Sequence, residues 1–296
     1  TRQIYAGWIV LLIVCRMFFG GMLAWSVKNR INNSCAIGVN PYSTEWQQIA
    51  NHLHQMGRGI VSGDHKNYDG ENNACVTNGL LQIIEDHYAD DSEENATARA
   101  ALWDTTVAAD VLVSGEVVRL THSQPSGNFL TTWINCASNL VYHVMVFDIL
   151  AEQHGCVGLN FFDCVAIITY GDDVMFAPNA QCASWYNFPN VRDVFNLVFA
   201  MTYTLENKTA EDIGFRPIEE VEFLKRGFVQ NDCCVYVAPL NLKSIYEMVN
   251  WIRGRKTKDA TAVNVEFAVR ELYYHGRDVY ERDAAKLRPP CAEASV

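Results

Sequence analysis

The chain has 296 residues, 49% of them hydrophobic, which is enough for one large domain or two modest ones with a true core. Ten cysteines occur without a CxxC spacing, with Cys233 and Cys234 adjacent, so neither a zinc site nor a disulfide framework is signalled. This favours a reducing compartment, in which the sequons at Asn32, Asn95 and Asn207 are incidental. The net charge of −11 argues against a simple basic nucleic-acid binder.

The first apolar stretch, Ile4–Ala24, is long enough to cross a membrane, but Arg16 sits near its middle, where a charge is expensive in lipid. A buried helix of a globular core is the expectation, and no transmembrane segment is expected. A signal peptide fits poorly, because the basic residues and cleavage pattern are missing. Asn40-Pro41-Tyr42-Ser43 breaks the pattern, with Ser43 placed to cap a helix over Thr44–Met56. Gly59–Ser62 reads as a short buried strand running into Asp64. Cys75–Tyr88 carries Val76, Leu80, Leu81 and Ile84 at helical spacing.

Val111–Val113, Ser114-Gly115 and Val117–Leu120 read as a hairpin. Asn128–His154 is a long amphipathic run closed by Gly155. Val165–Tyr170 and Val174–Ala177 flank Gly171-Asp172-Asp173 as a second hairpin. Phe188-Pro189 is a break before a helix at Val191–Met201. Phe223–Phe228 and Cys233–Val237 read as short strands, and Asn241–Tyr280 as helical. Linkers and repeats are scarce, so the sum is an α+β fold with a small antiparallel sheet backed by helices.

Two carboxylates at the tip of an apolar hairpin, Tyr170-Gly171-Asp172-Asp173, repel each other unless a cation lies between them. Gly-Asp is also ordinary turn chemistry, so the tetrapeptide needs company. Upstream, Asp64 stands at a strand end with Asp69 five residues on. Gln124-Pro125-Ser126-Gly127 then leads into a helix with Thr131 and Asn135 at i,i+4 on one face.

In this order, these segments resemble motifs A, B and C of the RNA-dependent RNA polymerases of positive-strand RNA viruses. The resemblance extends outward. Thr1-Arg2-Gln3-Ile4 is similar to the end of the basic finger motif that holds the incoming triphosphate, and Thr202–Lys208 to motif D with its lysine. Phe223-Leu224-Lys225-Arg226 is similar to motif E, which grips the primer strand. The style is picorna-like, and Asn40–Ser43 with Tyr68-Asp69-Gly70 points to the dicistrovirus-like branch.

The resemblance implies a right-hand polymerase palm with partial fingers and thumb: residues 1–18 a fingers remnant, 19–105 palm, 106–124 a fingers insertion, 125–237 palm, and 238–296 the start of the thumb. It implies two-metal nucleotidyl transfer with Mg²⁺, or Mn²⁺ as substitute, held by Asp64 and Asp172 with Asp173 in support. Asp69, Ser126, Thr131 and Asn135 would read the ribose 2′-hydroxyl, which is both donor and acceptor. Gly127 would give the loop freedom to move, and Lys208 would protonate the leaving pyrophosphate. Arg2 would contact the triphosphate, and Lys225 and Arg226 the RNA backbone.

Partners would be an RNA template and primer, ribonucleoside triphosphates and other viral replication proteins, in membrane-associated complexes of the host cytoplasm. The chain opens with Thr1-Arg2 rather than Met, so further basic segments are expected outside it, and the 296 residues alone are expected to polymerise poorly. The rivals are a reverse transcriptase, which shares a Tyr-x-Asp-Asp turn, and a membrane-anchored structural protein built on Ile4–Ala24.

Overall fold

The computed structural model describes residues 7–89, 92–120, 126–208, 214–251 and 258–287. It forms two compact units, one of Thr1–Val39 with Ile49–Pro217, the other of Asn40–Gln48 with Ile218–Val296. Helix α1 (Ile9–Lys28) opens the first unit. The division between the units runs through α2 (Glu45–His54), ahead of which the Ser43 hydroxyl accepts from the Glu45 amide at 3.2 Å.

The first unit continues as β1 (Val61–His65), α3 (Tyr68–Glu71), α4 (Ala74–His87) and α5 (Glu93–Val107). A hairpin of β2 (Asp110–Val113) and β3 (Glu116–Arg119) follows, then α6 (Thr131–Gln153) and α7 (Phe161–Cys164). It ends with β4 (Val165–Tyr170), β5 (Asp173–Pro178), α8 (Phe188–Val198) and β6 (Tyr203–Leu205).

Four strands make the central antiparallel sheet in the order β4-β5-β1-β6. Its core-facing side chains, among them Ile167, Val174 and Phe176, cluster with Tyr142, Val146 and Phe147 of α6 and Val191, Val194 and Phe195 of α8. A second cluster gathers Cys15, Phe19 and Met22 of α1, Leu80 and Ile84 of α4, Trp103 of α5 and Ile134 of α6. The long helix α6 therefore belongs to both cores, and its pattern of burial fixes where its polar side chains emerge.

Local chemistry explains most element boundaries. Ser114 and Gly115 both take positive φ (53° and 92°), the backbone a two-residue hairpin loop demands. Gly155 follows α6 at φ 68°. Asn187 caps α8 by accepting from the Asn190 amide at 3.2 Å, and Pro189 lies in its first turn. The expected break at Phe188-Pro189 is therefore the helix start itself, because a proline lacks only an amide hydrogen that the first turn leaves unused. Helix α5, which the periodicity did not bring out, is capped by Ser92 and holds its buried Arg99 against Glu85 at 2.7 Å.

For α1 the expectation of a buried core helix holds along one stripe only. Cys15, Phe19, Met22 and Ser26 are buried, whereas Trp8 (71% exposed), Ile13 and Met17 (73% exposed) face outward. The helix is apolar all round but meets partners on one side. Both α1 and α6 are long and apolar enough to cross a membrane, α6 being mostly buried within the unit. Arg16 lies over the Phe129 ring, 5.8 Å from its centroid.

The second unit contains the small hairpin β7 (Val229–Gln230) with β8 (Tyr236–Val237), and helices α9 (Leu242–Met248), α10 (Lys258–Leu272) and α11 (Arg277–Leu287). Phe223–Phe228 is not the expected strand. Leu224 and Lys225 take φ of 55° and 61°, and Phe223 and Arg226 exchange backbone hydrogen bonds across them, so the segment is a tight turn. Trp46 stacks on Phe228 with centroids 5.0 Å apart and donates its indole N–H to the Gly227 carbonyl at 2.9 Å. Ile245, Ala268, Leu272 and Ala284 form the helical core of this unit.

Candidate active site

Asp64 lies one residue from the end of β1, and its surroundings follow from strand register. β1 pairs with β5 so that Gly63 faces Val174; one step further sets Asp64 beside Asp173. On the other side Asp64 faces Thr204 of β6. Residues paired across antiparallel strands project to the same face, so Asp64, Asp173 and Thr204 share one face of the sheet. His65 and Tyr203 point to the opposite face, where the His65 ring packs on Tyr68, Phe195 and Tyr203. Tyr170 pairs with Asp173, leaving Gly171 and Asp172 as the hairpin tip, with Gly171 at φ 66°. The carboxylates of Asp64, Asp172 and Asp173 are thus brought to one end of one sheet.

Gly63 is what lets β6 approach. A Cβ there would fall 1.9 Å from the Tyr203 hydroxyl and 2.3 Å from Cζ of its ring. Asp64 is 4% exposed, and its carboxylate forms an ion pair with the ammonium of Lys208. Lys208 follows β6 at φ 67° and donates its amide to the Leu205 carbonyl at 2.8 Å, which turns the chain back towards Asp64.

The second constellation forms around Asp69, on the short helix α3. Its Oδ2 accepts from the Ser126 hydroxyl at 2.7 Å and its Oδ1 from the Asn135 amide at 2.7 Å. Asn135 Oδ1 is buried with no partner among the described residues, so the network ends in an acceptor left open. Thr131 opens α6 one turn ahead of Asn135, and Gly127 takes φ 115° in the loop that enters it. Arg2 lies outside the described residues.

The carboxylate oxygens suit a hard divalent cation, and the Lys208 ammonium shows that Asp64 draws positive charge to itself. Among the described residues no three His, Cys, Asp or Glu side chains stand ready to enclose an ion by themselves. An ion here would share its shell with phosphate oxygens and water, as Mg²⁺ commonly does. On chemistry and placement the three aspartates fit such a group.

In the second unit, Lys225 is exposed. Arg226 is not available in the same way. Its guanidinium makes a two-pronged pair with Glu271 at 2.7 and 3.0 Å, donates to the Ala238 carbonyl at 2.8 Å, and lies over Tyr42. The expectation that Arg226 contacts RNA is revised: the turn at Leu224–Lys225 directs it into the unit, where a buried carboxylate claims it.

The family described as "Viral RNA-dependent RNA polymerase" matches residues 1–289. The chain belongs to this family. The replicase polyprotein of acute bee paralysis virus is 33% identical over 292 residues, covering 95% of this chain and 15% of that protein. The replicase polyproteins of Drosophila C virus and cricket paralysis virus are 32% and 31% identical, each covering 95% of this chain and 17% of the relative. Dicistrovirus relatives are those the sequence motifs pointed to. The chain therefore spans about a sixth of the length of the polyproteins it matches. A sicinivirus 3Dpol RNA-dependent RNA polymerase has the same fold, with a TM-score of 0.71 at 17% identity, over 92% of this chain and 54% of that one. The right-hand polymerase fold is thereby shown.

Around this site the structure adds residues that motif reading passed over. The Tyr68 hydroxyl donates to the Asn135 carbonyl at 3.2 Å, giving Tyr68 a task besides packing. Tyr142 accepts from the Asn73 amide at 2.7 Å and donates to Asn72 at 3.1 Å, and burial pushes its phenol up to about 12. Asn139 and Cys136 of α6 touch the Gly171–Asp172 tip. The available signal was their spacing, since Thr131, Asn135 and Asn139 recur every four residues along one helix.

Proposed function

We propose that the polymerase containing this chain extends an RNA strand on an RNA template, copying a positive-strand viral genome by two-metal nucleotidyl transfer. The observation that carries this reading is the pairing of two assemblies: the carboxylates of Asp64, Asp172 and Asp173 at one sheet end, and the Asp69–Asn135–Ser126 network on the helix whose Cys136 and Asn139 touch that hairpin tip. Asp64 and Asp172 would hold Mg²⁺, with Mn²⁺ as substitute, and Asp173 would support them. When bound, such ions neutralise charge on the attacking and leaving oxygens of an in-line displacement. The buried amide of Asn135, oriented by Asp69, presents an acceptor to the 2′-hydroxyl, and Ser126 completes the network. Lys208, already close to Asp64, is the side chain placed to give a proton to the leaving pyrophosphate.

The small polar network favours RNA over DNA synthesis, because a reverse transcriptase has a bulky group where the 2′-hydroxyl would clash. Lys225 remains the proposed phosphate contact of the second unit. The fingers, palm and thumb divisions given above, the other viral replication proteins as partners, and residence in membrane-associated complexes of the host cytoplasm rest on family membership.

Primer extension by the full-length polymerase tests the reading. Asp172→Asn should abolish extension while the melting temperature stays within a few degrees, and ribonucleotides should be preferred over deoxyribonucleotides. An active Asp172→Asn enzyme overturns the metal assignment, and preferential deoxyribonucleotide use overturns the substrate.

A further inference from the structure

The hairpin tip that carries Asp172 is held from below. Asn139 of α6 is fully buried, and its side-chain amide donates to the Gly171 carbonyl at 3.0 Å and the Asp172 carbonyl at 3.4 Å. One turn earlier, Cys136 Sγ accepts from the Gly171 amide at 3.0 Å. The Thr169 hydroxyl donates to the Cys136 carbonyl at 3.3 Å and to the Ser34 carbonyl at 3.0 Å, tying the adjoining strand to the same helix. Both polar groups of the Gly171 backbone are therefore bound by α6 side chains, where a two-residue loop ordinarily leaves its tip to water.

A buried N–H donor is costly to desolvate unless its hydrogen bonds are made, and the Asn139 donors make theirs to the backbone of the hairpin tip that carries the proposed metal ligand. Asn139 also lies one turn beyond Asn135, whose amide is bonded to Asp69. A single rigid helix thus carries both the group that reads the ribose and the group that grips the Asp172 backbone. We propose that Asn139, assisted by Cys136, is a positioning residue that sets the height of the Asp172 carboxylate relative to the sugar site. This rests on the metal assignment above.

The test is Mg²⁺-dependent primer extension by the full-length polymerase carrying Asn139→Leu or Cys136→Ala, each with its melting curve. Asn139→Leu keeps the branching of the side chain and removes the two donors. It should lower kcat by about 10- to 100-fold and raise the Mg²⁺ concentration for half-maximal rate by about 10-fold. The KM for ribonucleotide and the ribose-to-deoxyribose preference should move by less than about twofold, since the Asn135 network is untouched. Cys136→Ala should shift the Mg²⁺ midpoint in the same direction by a smaller factor. A merely structural role would lower the melting temperature and leave that midpoint where it was.

A folded Asn139→Leu enzyme with wild-type kcat and Mg²⁺ midpoint overturns the proposal. Should that variant fail to fold, Cys136→Ala decides alone: a shifted midpoint supports the clasp and an unshifted one overturns it. Asp172→Asn separates the two readings. If it remains active the metal assignment fails, and if it is dead while both clasp variants behave as wild type, only the role of Asn139 fails.

Discussion

Gly63→Ala should destabilise the first unit and do so through one neighbour. The added Cβ would meet the Tyr203 hydroxyl at 1.9 Å, Cζ at 2.3 Å and Cε2 at 2.8 Å, all well inside ordinary contact. Tyr203 has little room to yield, because its ring is stacked on Phe195 with centroids 5.0 Å apart and flanked by His65 and Phe188. Relief must come from spreading β1 and β6 or from an off-rotamer ring, a disturbance of the overpacking kind that costs about 1–3 kcal/mol. For a unit of this size that corresponds to a melting temperature lowered by roughly 2–12 °C. Urea denaturation of Gly63→Ala, of Tyr203→Leu and of the double variant forms a cycle. In the Tyr203→Leu background the alanine should cost less than about 1 kcal/mol, because the clashing ring is gone. Equal cost in both backgrounds, or a Gly63→Ala protein as stable as the parent, would refute the reasoning. Because β1 carries Asp64, primer extension should fall along with stability.

Asn135→Ala in the full-length polymerase should reduce the preference for ribonucleotides by roughly 2- to 10-fold, the worth of a hydrogen bond between neutral groups, as read by competing the two sugars in single-nucleotide incorporation. Glu271→Gln should lower the stability of the second unit by about 3–5 kcal/mol, since the Arg226 and Glu271 side chains are only 12% and 3% exposed. RNA affinity per folded molecule should stay unchanged, because Arg226 is occupied internally. Burial lowers the pKa of His65 to about 3 and holds that of His143 below its usual value. Both folded-state values lie below the unfolded value near 6.5, so the unfolded chain binds more protons in acid, and stability is lost as pH falls below about 6.5. His65→Leu should flatten the decline between about pH 6.5 and 4 in chemical denaturation; an unchanged slope would mean that this ring is not buried neutral.

The family and the chemical vocabulary of the site were legible in the amino-acid sequence, because turn chemistry and hydrophobic period are local. Gly171 between two apolar runs marks the hairpin tip, Gly155 ends α6, and the i,i+4 spacing of Thr131 and Asn135 sets one helix face. Local signals failed where several choices were equally good nearby. Phe223–Phe228 has the composition of a strand, yet positive φ at Leu224 and Lys225 makes it a turn, and this sends Arg226 inward to Glu271, which lies 45 residues further along the chain. The outer surface of α1 is illegible for a related reason: an all-apolar helix does not reveal which of its faces will find a partner.

By itself, then, the sequence determined which residues can ligate, donate and turn. Only the tertiary structure decided which of them meet. Register between β1, β5 and β6 sets Asp64 beside Asp173 and across from Thr204, and a slip of one residue would send its carboxylate to the opposite face. Asp69, Ser126 and Asn135 join over separations of 57 and 66 residues, and Asn139 reaches Gly171 across 32. Such contacts depend on how two helical clusters pack on one sheet, and no short stretch of sequence contains that information.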